Sequence, residues 1–148
     1  MKFNYNDGGR SDYFKGTGGD CVTRAITIVT ELDYKEVYDR LANSNKTQRQ
    51  GKHQSKCTSG KKTALHGIYT KRKWFKDYMN ELGFKWTPTM LIGQGCKTHL
   101  ISDELPNSRI ICVVSKHYMA VINGVINDTS DCSREGTRCV YGYWTKEG

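Results

Sequence analysis

The chain has 148 residues, with 23 Lys+Arg against 15 Asp+Glu and a formal net charge of +8. That length fits one domain with one core. The mean hydropathy of −0.68, with no apolar run near the ~18 residues of a membrane span, excludes an integral membrane helix, and three Trp, nine Tyr and four Phe exclude a chain too poor in aromatics to pack.

The opening MKFNYNDGGR lacks the apolar stretch of a signal peptide. A cytoplasmic chain is therefore expected, with its thiols reduced. On that expectation Cys21, Cys57, Cys96, Cys112, Cys132 and Cys139 read as core filler, metal ligands or nucleophiles, not as a disulfide framework. Residues 1–20 are polar and Gly-rich. A helix is then predicted, because Val22, Ala25, Ile26 and Val29 recur at the spacing of one helical face. Asp20 is its expected N-cap, which places Cys21 at the first helical position. A second helix follows, with Asp33 and Glu36 as a capping-box-like pair and Tyr34, Val37, Tyr38 and Leu41 as its apolar face.

Residues 43–63 contain no aliphatic or aromatic residue, so the stretch cannot bury itself. A polar basic loop is expected there. The charge concentrates in the same region: residues 46–76 hold ten Lys+Arg and no acid, leaving 13 basic and 15 acidic residues elsewhere, a net −2. A third helix is predicted after Thr70, lined by Trp74, Phe75, Tyr78, Met79 and Leu82 and stopped by Gly83. The remainder reads as β. Residues 84–92 form a strand interrupted by Pro88, and the apolar run 109–114 has the character of a central strand. Strands 117–122 and 125–129 flank Asn123-Gly124, a strong hairpin signal. An aromatic-rich strand is expected over 139–144. Helices followed by an antiparallel sheet make an α+β layout in a single domain, residues 1–148.

The hairpin fixes a parity. With Asn123-Gly124 as a two-residue turn, Ile122 pairs with Val125, so Ala120 faces Asn127 and Met119 faces Asp128. His117, two residues from Met119, then shares a face with Asp128 as its diagonal neighbour. A thiol at a helix N-terminus is favoured as thiolate by the dipole and the free N–H groups, and the same groups can stabilise an oxyanion. Cys21 as nucleophile, His117 as base and Asp128 as its orienting partner therefore form a candidate hydrolytic triad. A one-residue slip in register would substitute Asn127. Each residue also has an ordinary role available: buried thiol, strand histidine, turn acid.

Gly19-Asp20-Cys21-Val22-Thr23-Arg24-Ala25-Ile26 resembles the nucleophile helix of papain-like cysteine peptidases, and 115–129 (SKHYMAVINGVINDT) resembles their histidine strand and hairpin. The order Cys, His, Asp matches as well. Small phage and bacterial proteins share this pattern, together with WTPTM at 86–90, IGQGC at 92–96 and RCVYGYW at 138–144. The resemblance implies a papain-like fold and a cysteine hydrolase (peptidase, amidase or acyl-transfer enzyme) acting on a protein or peptide without a cofactor, in the host cytoplasm if phage-encoded. Where such enzymes place a Gln about six residues before the Cys, this chain has Lys15, so Thr17, Asn6 or Asn4 is the candidate second oxyanion donor beside backbone N–H groups.

Two further constellations stand apart. His53-x3-Cys57 and Cys96-x2-His99 have spacings compatible with zinc, although no paired CxxC is present. The basic segment 46–76, with Lys61, Lys62, Lys71, Arg72 and Lys73, reads either as a solvated loop or as the footprint of a nucleic acid or acidic partner. The alternative function is thus a catalytically inactive papain-like binding module that engages a host protein or nucleic acid through that segment.

Overall fold

A computed structural model describes residues 2–13, 20–47, 73–90, 95–115 and 117–146, the side chains of 45–47 apart. Three helices lie with a six-stranded mixed sheet: α1 (Cys21–Thr30), α2 (Tyr34–Thr47) and α3 (Lys73–Glu81), with β1 (Lys2–Tyr5), β2 (Phe84–Pro88), β3 (Arg109–Val114), β4 (His117–Ile122), β5 (Val125–Asp128) and β6 (Gly142–Lys146). The strand order is β1-β5-β4-β3-β6-β2.

The expected α+β class is present, but the sheet is not purely antiparallel. β1 joins the edge parallel to β5, Asn4 opposite Asn127 and Tyr5 opposite Asp128. No element is predicted over 1–20, and this strand is an addition there. The hairpin register is the one derived from Asn-Gly: Ala120 opposite Asn127, Val121 opposite Ile126, Ile122 opposite Val125. Asn123 and Gly124 both have positive φ, 50° and 79°, the pair a type I′ turn requires. β3 is central, between β4 and β6, as its continuous apolar run predicts. β6 begins three residues later than expected, because Cys139 pairs instead with His99 in an isolated bridge.

Strand alternation divides the core between the two faces of the sheet. Ile111, Ala120 and Trp144 pack with the helices, against Val22, Ile26, Val37, Leu41, Phe75 and Met79. Ile110, Cys112, Met119, Val121 and Ile126 face the other way, onto Leu100, Leu105 and Val140 from the long connections. α1 is buried from Val22 to Val29 on all sides, more than one amphipathic stripe would give. Its C-terminal carbonyls are capped by a strand residue: Arg109 donates Nε–H to Val29 O at 2.9 Å and Nη2–H to Ile28 O at 2.8 Å, a cation where the helix dipole favours one. α2 starts where Asp33 accepts from the Glu36 N–H at 3.3 Å, but it runs to Thr47, so 43–47 of the expected polar loop are helical, and the rest of that loop lies outside the described residues. α3 buries Phe75, Tyr78 and Met79 and stops at Gly83, φ 87°.

The expectation of six unpaired thiols is corrected. Cys96 and Cys139 form a disulfide with Cα atoms 5.8 Å apart, brought together by the bridge between His99 and Cys139. Among the described residues no helix is long and apolar enough to cross a membrane.

Candidate functional site

Asp20 immediately precedes α1, yet it makes no capping hydrogen bond, contrary to its expected role. Its carboxylate is instead almost wholly buried, at 1% exposure, among tertiary partners. Arg24, one turn along the same helix, is paired with Oδ1. Arg10, from a short 3-10 turn, lies with Nε 3.0 Å from Oδ2, and the Tyr34 hydroxyl also donates to Oδ2. Burial, followed by that bond to Asp20, pushes the Tyr34 pKa up. A buried carboxylate needs this much compensation, and two guanidinium charges and a hydroxyl donor outcompete the helix amides for it.

Arg24 continues the chain of alternating charge. Its Nη2 lies 3.5 Å from Asp128 Oδ1, so the helix that begins with Cys21 is tied to the end of β5. Asp128 is 3% exposed and its acceptor capacity is well used. Oδ1 also accepts from the Thr129 N–H at 2.7 Å, and Oδ2 stands 2.6 Å from His117 Nε2. The parity argument thus places His117 and Asp128 correctly, and Asn127 points elsewhere: it accepts from Asn4 Nδ2 at 3.0 Å.

Burial of the Asp128 carboxyl works to raise its pKa, but the His117 hydrogen bond, the Thr129 N–H and the Arg24 charge prevail, and the value is lowered. At His117 burial likewise opposes the charged form. The hydrogen bond to Asp128, then those to the Cys132 and Cys21 sulfurs, overcome it and raise the ring to about 11. With Nε2 committed to the carboxylate, Nδ1 is the nitrogen left to face a sulfur. The charged form of the ring is therefore favoured beside the Asp128 carboxylate.

Cys132, which the sequence offers only as a structural thiol, belongs to this site. Its Sγ donates toward Asp128 Oδ2 at 3.8 Å and lies 3.2 Å from Met119 Sδ. The one available signal is its position four residues beyond Asp128, and a loop carries no periodicity to give that spacing meaning. His117, Asp128 and Cys132 place their ligand atoms within 4.8 Å of one another. An open hollow of ≈ 470 Å³ adjoins them, lined by Ser115, His117, Ser130, Cys132, Arg134 and Arg138.

The other candidates fare differently. Asn6 directs its side chain into the amino-terminal turn: Oδ1 accepts from the Gly8 N–H at 2.9 Å and Nδ2 lies 3.5 Å from Asn127 Oδ1. It is engaged with Asn127 and the amino-terminal turn. Thr17 and Lys15 lie outside the described residues, as do His53, Cys57, Lys61, Lys62, Lys71 and Arg72. Lys73 is an exposed first residue of α3, paired with Asp77 at 2.9 Å. The zinc set is corrected at Cys96, whose sulfur is in the disulfide. His99 turns to Glu104 at 3.3 Å. The chain matches no protein-family model, no curated protein and no solved structure.

Proposed function

We propose that the chain is a papain-like cysteine hydrolase, cleaving or transferring an acyl group from an amide or ester of a peptide. The observation that carries this is the 2.6 Å contact between His117 Nε2 and Asp128 Oδ2, in a ring whose charged form the Cys21 sulfur also favours. The uncapped start of α1 at Cys21 adds first-turn amides that can receive a developing oxyanion.

In this mechanism the Cys21 thiolate attacks the carbonyl carbon and the carbonyl electron pair moves onto oxygen, facing the α1 amides. As the tetrahedral intermediate collapses, the imidazolium gives its Nδ1 proton to the leaving amine or alcohol, leaving a thioester on Cys21. Water then attacks the thioester while neutral His117 takes its proton. The acid leaves and the thiol group is restored as thiolate with imidazolium. Asp128 stays ionised throughout, holding the tautomer that presents Nδ1 to sulfur.

A second reading exchanges the thiols. Cys132 lines the hollow together with His117 and reaches Asp128 Oδ2, so it too could be the attacking sulfur. Turnover of an activated p-nitrophenyl ester and of a panel of peptide amides decides between them. Cys21→Ala is expected to abolish turnover and Cys132→Ala to retain it. The reverse pattern assigns the nucleophile to Cys132. Wild-type rates in both single variants, or in His117→Ala, would end the hydrolase proposal.

A further inference from the structure

We infer that the hollow beside His117 is a subsite for a carboxylate carried by the substrate, gripped by Arg134 and Arg138. This deepens the hydrolase proposal and rests on it for the identity of the neighbouring chemistry. Arg134 and Arg138 both line the hollow, together with Ser115 and Ser130. Arg138 is held across it by backbone carbonyls alone: Nη2 donates to Ser115 O at 2.7 Å and Nη1 to Cys132 O at 3.4 Å. Its Nε–H is buried without a hydrogen-bond partner among the described residues. Neither arginine has a carboxylate partner among the described residues, in contrast to Arg10, Arg24, Arg40 and Arg109, each paired with an acid.

The acids next in sequence do not fill the gap. Asp131 accepts from the Ser133 N–H at 3.0 Å, and neither Asp131 nor Glu135 lines the hollow. Asp128, the nearest acid on β5, is committed to His117, Thr129 and Arg24. The two positive charges and the hydroxyls therefore line a hollow with no counter-charge among the described residues, next to His117 and Cys132.

The loop that presents Arg134 is built rather than loose. Arg134, Glu135 and Gly136 have φ of 52°, 57° and 83°, a left-handed run that costs non-glycine residues about 1 kcal/mol each. It is closed by the Gly136 and Arg138 N–H groups, which donate to Ser133 O at 3.1 and 3.2 Å, and by the Thr137 N–H, which donates to Arg134 O at 3.1 Å. A carboxylate is the anionic group that peptides bear, and guanidinium suits it through paired, charge-assisted hydrogen bonds.

The probe is a matched pair of alkylating agents, iodoacetate and iodoacetamide, which differ in the carboxylate. Their relative rates at Cys132 are measured by mass spectrometry in the folded full-length protein and again in urea. The folded protein is expected to favour iodoacetate over its unfolded ratio by about tenfold at low salt, with the preference collapsing near 0.5 M NaCl. Arg134→Gln, which breaks no side-chain hydrogen bond or ion pair among the described residues, and Arg138→Gln are each expected to cut it several-fold. Equal folded and unfolded ratios, a preference untouched by Arg134→Gln, or no alkylation of Cys132 by either reagent overturns the subsite. Hydrolysis of peptides bearing Glu against Gln, and a free against an amidated C-terminus, then shows which carboxylate is read. Iodoacetate preference without any hydrolysis leaves the subsite standing and removes the hydrolase; hydrolysis without either preference does the opposite.

Discussion

Asp128→Asn isolates the electrostatic centre of the site, because it keeps the shape of the side chain and removes its charge. The raised pKa of His117, about 11 against the ordinary 6.5, corresponds to about 6 kcal/mol of preference for the imidazolium in the folded chain. Asp128 supplies the largest favourable part, the Cys132 and Cys21 sulfurs the rest. Its loss is therefore expected to lower stability at pH 7 by about 3 kcal/mol, the scale for removing one partner of a buried pair. The pH dependence has a definite sign. His117 is raised on folding, so its contribution is complete below pH 6.5 and fades as pH climbs toward 11. Asp128 is lowered, so its contribution is present above 3.8 and fades as pH falls through its folded value. Wild-type stability should thus be greatest between about pH 4 and 6.5, falling as pH rises through the neutral range toward 11 and as it drops into acid, while Asp128→Asn should be flatter in alkali. Urea unfolding at pH 5, 7, 9 and 10.5, with the His117 ring followed by NMR, measures both. A wild-type ring that titrates near 6.5, or a variant within about 0.5 kcal/mol of wild type at pH 7, would refute the reasoning.

Three other perturbations probe the frame around the site. Asp20→Ala leaves Arg10 and Arg24 buried without their shared carboxylate and should cost about 3–5 kcal/mol; a melt unchanged by the substitution would show that the three groups do not interact in solution. Gly142→Ala would bring a methyl to 2.3 Å from the Trp86 ring and 3.0 Å from Thr87 O; overpacking between β2 and β6 is expected to cost about 1–3 kcal/mol in thermal unfolding, and a neutral result would mean that the Trp86 ring moves aside freely. Reducing the disulfide, or Cys96→Ser, opens a loop with a sequence separation of 43 and should lower stability by about 4 kcal/mol; equal urea midpoints with and without dithiothreitol would contradict that.

What was legible in the sequence was local. The β4–β5 register needed only Asn123-Gly124, since a two-residue turn leaves one pairing, and the His117–Asp128 contact follows from it by parity. β3 was legible because a continuous apolar run in a short strand has burial on both faces as its usual cause. α1 began at Cys21 as expected, but for a different reason. The cap rule ranks Asp20 by what its own helix offers, and the winning partners, Arg10 and Tyr34, come from elsewhere in the fold. The spacing of Asp20 and Arg24, one helical turn, was visible; that the pair would be buried was not.

The rest depended on contacts between distant segments. β1 pairs in parallel with β5, and a parallel neighbour leaves no turn in the sequence to announce it. Its Lys2-Phe3-Asn4-Tyr5 alternation is too short to distinguish from a polar tail, and all four residues are exposed. Cys139 was drawn from the final strand by its bridge to His99, which also delivers it to Cys96. The same kind of contact brings Cys132 to His117, and here it alters the chemistry as well as the topology. One imidazole now has its charge favoured by two sulfurs, one from the start of a helix and one from the loop after β5. A single ring charge that both sulfurs act on links them, so the reactivities of Cys21 and Cys132 are expected to be coupled. Blocking either thiol should change the rate at which the other is alkylated, and His117→Ala should abolish that dependence. Independent rates in the wild-type chain would mean that the two sulfurs do not share the imidazole.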